Sequence, residues 1–434
     1  MERYINSFAT ENDIQIALQN GELLKPYVAY IEDADRIDWN SKEKVDYTTE
    51  YLTFNILSAG TINWTASNTA ITKTIEYKLN NGAWVSITSN TGSSAPTITV
   101  NSGDKLQFRG NNAQYGTGSY NYNSFGGSAS FEVEGNIMSL IYGDDFKNKL
   151  TISSTYALAG LFRGCTKLIS AENLILPATT LASNCYQYMF YGCTSLTTAP
   201  ALPATTLTNY CYSFMFQDCT SLTKAPALPA TTLANYCYWA MFQNCTSLTS
   251  APSILPATTL RENCYSSMFY NCAKLTTAIE LPATTLADYC YREMFYGCKN
   301  LATAPELPAT TLKDRCYLGM FQGCSSLTTA PKELPATTLI TMCYHRMFYN
   351  CTSLTTAPAL PATTLTNYCY QEMFYGCKKL NYIKCLATDI SANYCTEDWV
   401  GGVASTGTFV KNPNMSGWTT GINGIPTGWT VQDA

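Results

Sequence analysis

The chain has 434 residues, enough for two to four domains, and is 46% hydrophobic but only 13% charged, ample apolar material for a sizeable core. Its formal net charge of −5 is concentrated at the start. Residues 1–50 hold five basic and eleven acidic groups, the other 384 residues sit near +1, and no basic stripe exists to neutralise phosphates, so nucleic acid is excluded as a partner. No stretch approaches the ~18 apolar residues of a membrane span, and MERYINSFATENDIQIALQNG has neither the basic-then-apolar pattern of an export signal nor an early cysteine for lipidation, so neither membrane insertion nor standard export is expected.

In chain order, residues 1–46 read as a small α+β module, with strand, helix and strand over residues 1–40. Thr10 and Asp13 form a capping-box-like helix start, and Asn20-Gly21 a stop. Residues 50–142 read as a β-sandwich-like domain. Its candidate strands are 51–57, 74–79, 97–100, 105–109 and 131–134, with turns at Asn80-Asn81-Gly82 and Gly126-Gly127. Residues 110–130, rich in Gly, Asn, Ser and Tyr, read as a long surface loop.

Residues 150–395 are a tandem array. The string Leu-Pro-Ala-Thr-Thr-Leu starts at Leu176, Leu202, Leu228, Leu255, Leu281, Leu307, Leu334 and Leu360, at intervals of 26 or 27 residues, with worn copies on either side. Such a period means stacked units that bury a common core, with atypical units at the ends. Within Leu202–Ala227, Leu207, Cys211, Tyr212, Met215 and Phe216 share one side of a helical wheel, and Cys219 and Leu222 follow. Thr206 stands as N-cap, and the residue before the second cysteine (Gly192, Asp218, Asn244, Asn271, Gly297, Gly323, Asn350, Gly376) tolerates the left-handed conformation of a helix stop. The unit is therefore expected to be strand, turn and short helix, the whole an α/β solenoid of ~26-residue leucine-rich-type repeats about 43 Å long at ~4.8 Å per strand. Residues 396–434, with Trp399, Trp418 and Trp429, are expected to cap it.

The 19 cysteines mostly fall in pairs eight apart, such as Cys211 and Cys219, on the apolar side. They read first as compact buried hydrophobes. A disulfide ladder between like cysteines of neighbouring repeats is the alternative, whereas zinc lacks any Cys-x-x-Cys and has one histidine to draw on. No cofactor or metal is expected.

Catalytic candidates are thin. His345 lies two residues from Cys343, but the wheel points them to opposite sides, and the adjacent Asp144 and Asp145 read as a solvated turn. The LPATT string has the start of a sortase signal without its final glycine or a following membrane tail, and reads as a strand-to-helix turn. The binding candidates are the pair after each Cys-Tyr, which varies most between copies and is expected to face outward. It supplies Tyr188, Phe214, Trp239, Arg292, His345 and Arg346, with the aromatic members suited to stack on a sugar or anchor a protein; an unconstrained surface is the bland alternative. On the strand side, Lys224, Glu306 and Glu333 break a uniform Leu-Thr-Thr-Ala-Pro pattern.

The pattern L-P-A-T-T-L-x-x-x-C-Y-x-x-M-F-x-x-C-x-x-L-T-T-A-P resembles the BspA-like (Treponema-type) leucine-rich repeats over roughly residues 150–395. That resemblance implies a curved solenoid, a surface protein that adheres to proteins, glycans or cells, and no catalysis. Residues 4–39 and 417–434 resemble modules of phage and prophage structural proteins. Together these imply a virion component assembled in the bacterial cytoplasm: residues 1–142 contact other virion proteins and self-associate into a homo-oligomer, and the solenoid contacts a host-surface glycan or protein. A bacterial cell-surface adhesin is the alternative, and a glycan-active enzyme with its site in residues 51–142 a remote third.

Overall fold

The computed structural model describes residues 35–38, 43–276 and 279–434. Thr10, Asp13, Asn20 and Gly21, and the strand-helix-strand expectation for residues 1–40 apart from 35–38, lie outside the described residues. Strands β1 (Asp35–Asp38) and β2 (Glu43–Asp46) pair antiparallel.

Two sheets follow. One runs β7 (Thr97–Val100), β4 (Gly60–Ala66), β10 (Asn121–Gly127), β9 (Gly116–Gly118). The other runs β12 (Leu168–Ile175), β11 (Phe131–Asn136), β3 (Leu52–Ile56), β8 (Lys105–Gly110), β5 (Thr74–Leu79), β6 (Val85–Thr88). Alternating residues such as Phe54, Trp64, Phe108 and Phe131 are buried, with Phe54 and Phe131 stacked at 4.5 Å. The 110–130 segment is not a loop. Its Gly- and Asn-rich composition has weak strand propensity, yet β10 pairs with β4 from Asn123↔Ala66 to Gly127↔Ile62, Phe125 is buried, and the Asn123 amide donates to the Ile71 and Tyr115 carbonyls. Tertiary pairing overrides local preference there.

The second sheet does not stop at residue 142. Strand β11 pairs antiparallel with β3 and parallel with β12, which belongs to the first repeat, and the Phe162 ring packs against Phe54 and Phe125 at 5.9 and 5.7 Å. The sandwich and the repeats share one hydrophobic core.

The repeats stack, but the expected short helix is absent. Between Tyr210 and Cys219, alternate N–H groups close tight turns within the repeat (Ser213 to Tyr210 O, Met215 to Tyr212 O, Gln217 to Phe214 O). The N–H groups between them cross to the next repeat (Tyr212 to Cys237 O, Phe214 to Trp239 O, Phe216 to Met241 O). An α-helix would spend all its interior N–H groups on itself. The turns are held by left-handed residues at every fourth position, Tyr210 (φ 59°), Phe214 (φ 59°) and Asp218 (φ 62°), and the same triplet recurs in the units from residues 156–164 to 394–402. All eight residues expected at the helix stop are left-handed, although there is no helix for them to end. A non-glycine residue there costs about 1–2 kcal/mol, which the bonds to neighbouring rungs offset. Leu207, Cys211, Met215 and Cys219 are spaced by four, and over so short a run that period passes for 3.6.

Leu207, Cys211, Met215, Phe216, Cys219 and Leu222 are all buried, each in a column of equivalents. The phenylalanine column stacks nearly parallel, Phe190 on Phe216 at 5.3 Å and 2°, and a tyrosine column runs beside it from Tyr186 to Tyr370. All nineteen cysteines are free and buried. The second thiol of each copy donates to a phenylalanine carbonyl of the preceding repeat, as Cys219 does to Phe190 at 3.1 Å. On the ladder side, most repeats join by single parallel bridges instead of strands, for example Lys224↔Ser250 and Thr259↔Thr285. Pro200 and Pro203 and the prolines equivalent to them (Ile279 replaces one) carry no N–H, which interrupts the ladder. Continuous pairing returns at the end, where β13 (Tyr382–Cys385), β14 (Thr408–Lys411) and β15 (Thr430–Asp433) form a parallel sheet. Trp399 takes the place of the repeat's methionine, is fully buried, and stacks on Trp418 at 5.6 Å.

Candidate binding surface on the turn side

The turn side gathers three of the sequence candidates. Phe214 stacks on Tyr188 at 4.8 Å and 2°, and Trp239 meets Phe214 at 4.4 Å with a 60° tilt. Tyr210 and Tyr236 form a second stack beside them at 4.6 Å, and Trp239 touches Tyr236 edge-on. Rings with one edge packed and one edge wet are economical contact residues, since few torsions need fixing on binding. The strip ends where the next rung carries Ser266 and Ser267 in place of aromatic residues.

At its sandwich end lies a group the sequence reading missed. The Arg163 guanidinium sits 4.8 Å from the ring centres of Tyr188 and Tyr191, 4.9 Å from Tyr122 and 5.9 Å from Tyr120, and donates to the Ser119 carbonyl at 2.8 Å. It ties the β9–β10 connection to the first two repeats. Only its place in a worn copy, opposite a tyrosine-rich segment, hinted at this. Tyr120, 77% exposed, extends the strip outward.

The variable pair does not face outward as a whole. Gln187, Ser213 and Ser266 are buried at the first position and Ala240 at the second, because four-residue turns aim these side chains differently from a helical wheel. Arg292, His345 and Arg346 lie further along and do not join the aromatic strip. Arg292 reaches Glu293 at 3.5 Å, and Arg346 is ion-paired with Glu372, whose hydrogen bond raises the arginine's pKa. His345 is half-buried; burial, and then Arg346, depress its pKa. Burial drives the Cys343 thiol well above its ordinary value, opposite to what a nucleophile needs. Asp144 accepts from the Tyr51 hydroxyl at 2.7 Å and pairs with Arg109 at 2.7 Å; these contacts, Tyr51 first, lower its pKa and occupy it structurally. Lys224, Glu306 and Glu333 are exposed on the ladder side; Glu306 and Glu333 occupy equivalent positions of adjacent rungs, Lys224 lies several rungs away, and the Glu306 carboxylate accepts the Lys332 N–H at 3.2 Å. Among the described residues, no group of three or more His, Cys, Asp or Glu is placed to hold a metal ion, and no helix is long and apolar enough to cross a membrane.

A stack of ~26-residue units with a leucine-lined core and a parallel ladder defines a leucine-rich-type repeat protein. The particular kind is set by the match of residues 146–267 and 292–395, just over half of the chain, to the BspA type leucine rich repeat region in six copies. The chain belongs to that family, whose repeats are typically binding modules and not catalysts. No curated protein matches the chain closely enough to count as a relative.

Proposed function

We propose that the chain is a non-enzymatic adhesion protein whose repeat solenoid presents its turn side to a glycan or protein on a host surface. The aromatic strip of Tyr188, Phe214 and Trp239 carries the reading, because aromatic side chains at a solvent boundary supply much of the energy of recognition surfaces. Binding of the full chain to host cells should fall at least tenfold in the variant combining Phe214→Ala and Trp239→Ala. Undiminished binding by a folded variant would remove the strip from the reading.

The same proposal extends to location. The phage-like sequence at residues 4–39 and 417–434 favours a virion component, held through residues 1–142 to other virion proteins or to copies of itself, over a cell-surface adhesin. Mass spectrometry of purified particles and of cell-envelope fractions tests this. A fixed copy number in particles supports the virion, and recovery only from the envelope supports the adhesin.

A further inference from the structure

The two threonines of every Leu-Pro-Ala-Thr-Thr-Leu copy, from Thr179 and Thr180 to Thr363 and Thr364, are exposed. Parallel bridges link the second threonines in register over five consecutive copies, Thr259↔Thr285↔Thr311↔Thr338↔Thr364, and join Thr206 to Thr232. The pair is set the same way in three of the rungs: the N–H groups of Thr179 and Thr180 both bond the Leu150 carbonyl, those of Thr231 and Thr232 the Thr205 carbonyl, and those of Thr284 and Thr285 the Thr258 carbonyl. Eight rungs at ~4.8 Å make a ridge roughly 34 Å from first to last.

None of these sixteen hydroxyls makes a hydrogen bond within the described chain. The capping role that a helix would have given Thr206 does not exist. The contrast is with the other exposed threonine column, where Thr197 donates to the Ile169 carbonyl at 2.9 Å and Thr249 to the Thr223 carbonyl at 3.1 Å. Hydroxyls there have a structural task; on the ridge they have none. Yet the ridge has not drifted. Three residues after the second threonine, exposed or half-buried positions read Ser183, Asn209, Asn235, Glu262, Asp288, Asp314, Thr341 and Asn367. The ridge reads Thr-Thr in all eight copies. Strand preference alone would admit valine or isoleucine, and solubility alone would admit lysine, serine or glutamate. The ridge hydroxyls are therefore free for a partner outside the chain.

Resting on the adhesive reading but on a different face, we propose that the paired-threonine ridge binds an extended neutral polysaccharide laid along the stacking direction, about one sugar per rung. The ridge carries no charge until Asp389, which suits a neutral ligand. Each hydroxyl both donates and accepts, as sugar hydroxyls do. An extended β-linked pyranose chain advances by about one strand spacing per residue, so many weak contacts fall into register along a long chain and few along a short one.

The test uses the full chain and insoluble microcrystalline cellulose and β-mannan as probes. The ridge variant replaces Thr259, Thr285, Thr311 and Thr338 by valine, which keeps the β-branched shape and removes four hydroxyls. Retention on at least one probe should drop tenfold or more, with the unfolding midpoint unchanged. Serine at the same four positions should restore most of it, and soluble hexasaccharides should compete poorly. The ridge assignment is overturned if the wild type binds neither probe, if the valine variant binds as well as the wild type, or if the wild type instead inhibits ice recrystallisation, which would make ordered water the ligand. Loss of binding only in the variant combining Phe214→Ala and Trp239→Ala would overturn it while leaving adhesion intact. A wild type that binds neither polysaccharide nor host cells would overturn adhesion itself.

Discussion

Gly319 separates the observed turn chain from the helix that the sequence suggests. It occupies the middle left-handed position of its rung, φ 58°, equivalent to Phe214. In a helix, Gly→Ala at an interior site stabilises by about 1 kcal/mol. In the left-handed region an added Cβ costs about 1–2 kcal/mol. It would also lie 3.3 Å from Glu293 Cγ, a flexible neighbour that can move aside. Restricting the unfolded chain returns about 0.5–1 kcal/mol. Gly319→Ala should therefore destabilise by about 0.5–1 kcal/mol, opposite in sign to the helical case. The assay is urea unfolding with the slope held common to both proteins, so that the midpoint reports stability. A midpoint that rises with Gly319→Ala would refute the turn geometry.

Three other outcomes follow from the packing. Arg163→Ala removes a guanidinium shared by four tyrosine rings and should cost about 1–2 kcal/mol. Hydrogen exchange would show faster exchange confined to residues 115–125 and 156–164, and uniform protection would count against the clamp. Phe216→Ala opens a gap in a fully buried stacked column and should cost about 3–5 kcal/mol, read as a lower unfolding midpoint. Burial raises the Cys211 thiol from an ordinary 9.0 to about 12, so between those values the native state holds protons that the unfolded state releases. This contribution is complete below pH 9 and is lost as pH rises towards 12. Denaturation midpoints should fall across that window, and iodoacetamide should label the cysteines only after unfolding.

The period, the core columns and the buried cysteines were legible because identical residues recur at 26 or 27 and a stack buries the same positions in every copy. The rung geometry was not. Cys211-Tyr212 and Met215-Phe216 fit a helix and a four-residue turn equally well, and the better clue was Asp218, Asn244 and Gly297 recurring beside tolerated small residues at Ala240 and Gly319. The aromatic strip was legible residue by residue as Tyr188, Phe214 and Trp239, but not as a surface. Its second stack, Tyr210 on Tyr236, joins equivalent positions of neighbouring rungs, whereas Arg163 depends on which rung faces the β9–β10 connection, and that is set by the β11–β12 pairing across a parallel register no local pattern announces.

The turn-side bonds also have a direction, and the two ends respect it. Each rung donates N–H groups to the carbonyls of the rung that follows, so the first rung is left with free carbonyls and the last with free N–H groups. At the front, the N–H groups of Tyr115, Gly116 and Phe125 donate to the carbonyls of Ala157, Tyr156 and Leu161. At the back, the Val400 N–H finds the Ile422 carbonyl and the Asp398 N–H the Asn423 side-chain oxygen. Donors cover one end and acceptors the other. A buried carbonyl or N–H left without its partner costs about 1–3 kcal/mol, so neither end is interchangeable with an interior rung. The sandwich is thus the chemical complement of the first repeat as well as a neighbour in sequence, which is why the tyrosine-rich segment it contributes is held at the start of the aromatic strip.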